Sequence, residues 1–104
     1  MPSAADVTAC QQQVRQIADT IASLTSQIAA VVTAFQSQIA PLRAKLDATT
    51  DQAARQTVAA QIAALGTQRD AAVAAIQRHV DQLQIKIATQ RRLCDQLEQR
   101  RAGK

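Results

Sequence analysis

Apolar residues recur along this chain in steps of three and four, and they do so twice. In the first half Val7, Cys10, Val14, Ile17, Ile21, Leu24, Ile28 and Val31 form the a/d stripe of a heptad. In the second half Val73, Ile76, Val80, Leu83, Ile87, Gln90, Cys94 and Leu97 repeat the alternation, with Gln90 as its one polar member. Paired across the chain, the residue numbers sum to 104: Val7 with Leu97, Cys10 with Cys94, Ile17 with Ile87, Leu24 with Val80, Val31 with Val73. Each pair sets an a position against a d position, the layer that antiparallel helices form.

Regular heptads could slide past one another by seven residues, so the register needs an irregularity to fix it. The first stripe takes two successive steps of four at Val31, Phe35 and Ile39, a stutter that relaxes the left-handed supercoil. The second does the same at Leu65, Arg69 and Val73. Phe35 and Arg69 also sum to 104, and beyond them Ile39 faces Leu65, Leu42 faces Ile62 and Leu46 faces Val58. The two defects coincide in this register alone. The pattern therefore predicts an all-α fold, a long antiparallel two-helix coiled-coil hairpin spanning 1–104, with helix one over about 5–47, a connection over about 47–51 and helix two over about 51–101.

The connection is read from Asp47-Ala48-Thr49-Thr50-Asp51, with Thr50 as N-cap of the second helix and Asp51 just inside it, near the positive end of the dipole. Pro41 removes a backbone donor and crowds the preceding turn, which predicts a kink there or an end at Ala40 and a restart. With Gly66 nearby across the hairpin, a bent or mobile tip is expected beyond Ile39 and Leu65. Phe35 opposite Arg69 offers either a cation–aromatic layer or an Arg stem lying along the ring with its head in water.

Composition narrows the reading without redirecting it. Two Gly, two Pro and one aromatic residue in 104 leave little turn chemistry and no strand signal. Cys10 and Cys94 are the only cysteines, and the register found without them places them opposite each other; a disulfide is expected there, with two buried thiols as the alternative. Met1 to Asp6 show neither the basic start nor the apolar run of a secretory leader. An oxidised pair would then imply leaderless export or an unusually oxidising cytosol.

The segments 28–35 and 71–76 are apolar nearly all round, more than one seam can cover. Ala29, Ala30, Val32 and Ala34, with Ala71, Ala72, Ala74 and Ala75, form an expected partner interface on which a second hairpin packs to give a homodimeric four-helix bundle. The alternative is Ala serving as a good helix former on a solvated face. Thr20 to Leu42 holds no charge, yet its Ser, Thr and Gln residues and Pro41 argue against a spanning helix, so no membrane partner is expected.

The formal charge of +4 resides in residues 86–104, where Lys86, Arg91, Arg92, Arg100, Arg101 and Lys104 outweigh Asp95 and Glu98. Such an end could meet nucleic acid or an anionic surface. Cations also suit a helix C-terminus, and no aromatic platform accompanies them, so nucleic acid is not the expected partner. One His, one Glu and two distant Cys supply neither a metal-ligand cluster nor a nucleophile with its base. No enzyme activity, metal or cofactor is expected.

In architecture the chain resembles the small Trp-X-Gly helical hairpins handled by type VII secretion, a resemblance that would imply leaderless export. The stretch Asp47 to Asp51 has neither Trp nor Gly, and the tail Gln99 to Lys104 has no Tyr, so no functional residue carries over. The reading that stands is a non-enzymatic structural or adaptor protein working through protein–protein contact. Export without a leader and anionic-surface or nucleic-acid binding through the basic end are its alternatives.

Overall fold

The computed structural model describes residues 3–103. Two helices account for nearly all of them: α1, Ala4–Ala48, and α2, Gln52–Gly103. They pack against each other as an antiparallel hairpin, and no strand occurs among the described residues.

The chain divides into two compact units, one built from the described residues up to Thr25 and from Arg78 onward, the other from Ser26–Gln77. In the first, Val7 and Cys10 on α1 and Val80, Ile87 and Cys94 on α2 are buried. Val14, Ile17, Ile21, Leu24, Leu83, Gln90 and Leu97 are half-buried along the same seam. In the second, Ile39 and Val58 are buried, and Ile28, Val31, Phe35, Leu42, Leu46, Ile62, Leu65, Arg69, Val73 and Ile76 are half-buried. Every seam position read from the heptads is thus covered at least in part. Elsewhere among the described residues only Ala18, Val32, Thr49, Arg55, Gly66 and Ala72 are covered to that degree. Half-burial is the expected state of most of a two-helix seam, because each layer has one partner and two open flanks.

Arg69 borders a groove with Gln36, Ile39 and Ala40 of α1, at the height the stutter assigns. Its Nε donates to Asp70 Oδ1 at 3.1 Å, so the guanidinium head is engaged with a neighbouring carboxylate. The seam position is left to its aliphatic stem.

Of the two outcomes expected at Pro41 one is excluded, and the expected N-cap of α2 is corrected. The helix does not stop at Ala40: α1 runs through Pro41 without a break. Pro41 and Ser37 are both exposed, so the carbonyl deprived of its donor faces water, while Ile39 and Leu42 hold the other side of the helix on the seam. The N-cap of α2 is Asp51 rather than Thr50. Asp51 Oδ2 accepts the Ala54 N–H at 2.9 Å and its carbonyl accepts the Arg55 N–H at 2.9 Å, which makes Gln52 the first helical residue.

At the other terminus Ser3 and Asp6 form a reciprocal cap. Ser3 Oγ accepts the Asp6 N–H at 3.2 Å, and Asp6 Oδ2 accepts the Ser3 N–H at 2.9 Å. Two of the donors that a helix start leaves open are satisfied this way.

Candidate functional site

Three features of the surface and seam bear on function. The first is covalent. Cys10 and Cys94 are joined by a disulfide, with 5.6 Å between their Cα atoms and 84 residues between them in sequence. The register derived from apolar spacing brought these two residues to one layer, and the bond lies there. Both are buried, at 6% exposure. One turn along α2, the half-buried polar member of the stripe finds partners: Gln90 Nε2 donates to Gln13 Oε1 at 2.7 Å and to Cys10 Sγ at 3.3 Å. A seam glutamine without such an acceptor would be destabilising, whereas this one ties α1 to α2 beside the disulfide.

The second feature belongs to the unit Ser26–Gln77. Ala29, Ala30 and Ala34 on α1 and Ala71, Ala74 and Ala75 on α2 are exposed; Val32 and Ala72, the other two expected interface residues, are half-buried. Hydroxyls close to this face are turned inward along their own helix. Ser37 Oγ donates to the Thr33 carbonyl at 3.1 Å and Thr67 Oγ1 to the Ala63 carbonyl at 3.1 Å. Donors spent on the helix backbone in this way are withdrawn from the surface, while Ser26, Gln27, Thr33 and Gln36 on the same stretch stay exposed. By length and composition α1 is also apolar enough to cross a membrane, with a window of mean hydropathy 1.3. Core helices and leaders pass that same measure.

The third is the basic end of α2. Arg91, Arg92, Arg100 and Arg101 are exposed, and Lys104 lies outside the described residues. Arg100 and Arg101 occupy the last turn, where cations complement the helix dipole. The cations do not share one face. Arg91 lines a groove with Gln11, Val14, Asp95 and Glu98, so acidic neighbours offset it. Arg100 lines a different groove with Asp6, Ala9, Gln13, Leu93 and Gln96.

The sequence reading passed over three groups. Ile85 and Leu93 are the exposed large apolar side chains among the described residues, at 70% and 47%. They stand off the a/d stripe, and that displacement was the available signal. Arg55 is half-buried, and its Nη1 donates to the carbonyls of Leu46 at 2.8 Å and Thr49 at 2.9 Å. It caps the end of α1 from the first turn of α2. A cation just after the connection, within reach of the last carbonyls of the preceding helix, could have been anticipated.

Catalytic chemistry has few candidates. His79 is exposed, and no group of three or more His, Cys, Asp or Glu among the described residues is placed to hold a metal ion. Comparison of the chain with protein-family models, characterised proteins and solved structures finds no match.

Proposed function

We propose that this chain is a non-enzymatic adaptor that self-associates through the small-residue face of the unit Ser26–Gln77. One observation carries the reading: exposed Ala29, Ala30 and Ala34 on α1 coincide with exposed Ala71, Ala74 and Ala75 on α2, within a stretch of α1, Thr20 to Leu42, that has no charge to solvate. Small residues let helix backbones approach closely, so a second hairpin laid there gains contact over both helices and completes a four-helix layer. Exposed alanine by itself only favours helix; the absence of interspersed charge on α1 makes a protein partner the better account.

The test is sedimentation equilibrium of the oxidised full chain across a wide concentration range, at low and high salt. A dimer whose affinity barely changes with salt is expected. Ala30→Glu combined with Ala74→Glu should weaken it by on the order of 100-fold or more, because each copy then brings two unpaired carboxylates into the contact. A chain that stays monomeric at every concentration, or a dimer untouched by the two glutamates, overturns the reading.

A further inference from the structure

With α2 turning about 100° per residue, Ile85, Lys86, Arg92, Leu93 and Arg100 fall within one sector of about 120°, on the side away from the buried Ile87 and Cys94. All five are exposed. We propose that this stripe docks on the surface of bilayers containing anionic phospholipid.

Sign and apolarity occur together on it. The two exposed large apolar side chains of the described residues stand among three cations. Thr89, between them on the helix, donates its hydroxyl to the Ile85 carbonyl at 3.1 Å and so presents its methyl group outward. The carboxylates of the same stretch, Asp95 and Glu98, lie outside the sector in the groove that Arg91 shares. On the stripe's own flank α1 contributes uncharged Ala9, Gln13 and Gln16, with Asp6 the one carboxylate lining the Arg100 groove, against the three cations of the stripe.

A basic helix face with apolar side chains lies in the plane of a bilayer interface. Its cations meet lipid phosphates and carboxylates while its apolar groups enter the boundary with the acyl chains. Nucleic acid would use the cations but gains nothing from an isoleucine held in water, and Phe35, the single aromatic ring, belongs to the other unit. Lipid is the occupant that uses both halves of the stripe. The inference is independent of the proposed dimer, which rests on residues of the other unit.

The experiment is co-sedimentation of the oxidised full chain with phosphatidylcholine vesicles, with and without phosphatidylserine. Binding is expected with phosphatidylserine alone, weakening as salt rises. Lys86→Gln, Arg92→Gln and Arg100→Gln together should lower the apparent affinity on the order of 100-fold. Ile85→Ser should lower it about tenfold and remove the binding that survives at high salt. Arg91→Gln with Arg101→Gln, off the stripe, should change it less than about threefold. Unchanged helicity by circular dichroism, with an intact disulfide, assigns these losses to the surface. Equal losses from both sets of cations, equal binding to pure phosphatidylcholine, or no binding to either vesicle overturns the proposal. So does tighter binding to an RNA or DNA oligonucleotide that is indifferent to Ile85→Ser.

Discussion

The two units of this hairpin are closed by different chemistry, and the difference follows sequence distance. In the unit that holds the helix ends remote from the connection, the residues to be joined are 84 apart, and the closure is covalent, between Cys10 and Cys94, with Gln90 and Gln13 beside it. In the unit Ser26–Gln77, the groups joined are three to nine residues apart, and hydrogen bonds suffice: Arg55 to the carbonyls of Leu46 and Thr49, Asp51 to the Ala54 N–H. The entropy of bringing two points together grows with the chain between them. A thin seam of mostly half-buried residues offers little to offset it, so the covalent bond sits where the chain itself tethers least.

The largest effect should come from breaking that bond. Reducing the protein, or Cys10→Ser with Cys94→Ser, is expected to lower stability by about 4 to 5 kcal/mol on the loop-entropy account. That is a large share of a typical domain's total. Urea unfolding measures the loss, and amide hydrogen exchange locates it: protection around Val7–Val14 and Ile87–Leu97 should fall further than protection around Ile39–Leu46 and Val58–Leu65. Equal falls in both would mean that the bond supports the whole chain, and the contrast between units would fail. The same bond reports on compartment. Protein alkylated during extraction from its host should retain it if the chain works in an oxidising environment, and a reduced pair there would count against export.

Arg55→Met is the corresponding break in the other unit. Methionine keeps an aliphatic stem but donates to neither carbonyl, so a loss of about 2 kcal/mol is expected in the unfolding free energy measured in urea. Arg55→Lys should recover part of it, since an ammonium can approach one carbonyl but does not reproduce the planar fork. A loss below about 0.5 kcal/mol from Arg55→Met would show that the backbone of the connection holds its shape unaided, and that this unit needs no clamp.

Most of the fold was legible because its signal is periodic and redundant. Each seam residue from Val7 to Leu46 and from Val58 to Leu97 carries the same message, and the stutters at Phe35 and Arg69 removed the ambiguity that regular heptads leave. The cysteine pair was legible for the same reason, as a consequence of register rather than of cysteine chemistry. What escaped has no period. Pro41 reads as a break until its exposure is known, since only then does the carbonyl of Ser37 have water to turn to. Arg55 acts through a long side chain whose reach no spacing encodes. Ile85 and Leu93 are visible as apolar residues in any window, but that they are exposed follows only once the seam has claimed Ile87 and Cys94. Alanine at 30 or 74 satisfies a solvated helix face and a packed one alike, which is why the candidate interface is carried by the charge-free stretch around it and not by alanine itself.

The smallest effect discriminates most finely, because Thr50 and Asp51 are both residues that cap helices well and stand side by side. Asp51 carries the bond to Ala54, so Asp51→Ala should cost about 1 kcal/mol while Thr50→Ala stays within about 0.3 kcal/mol of the parent. Asp51→Asn separates the two parts of the cap. An amide oxygen still accepts from the Ala54 N–H, and only the attraction of a full negative charge for the helix start is lost, so most of the stability should remain and its salt dependence should fall. If Thr50→Ala is instead the costlier change in thermal melts, α2 begins one residue earlier. Arg55 would then stand one residue deeper in the helix while Val58 and Ile62 still fix the rotation of α2, so the clamp on the Leu46 and Thr49 carbonyls would hold without the Asp51 cap.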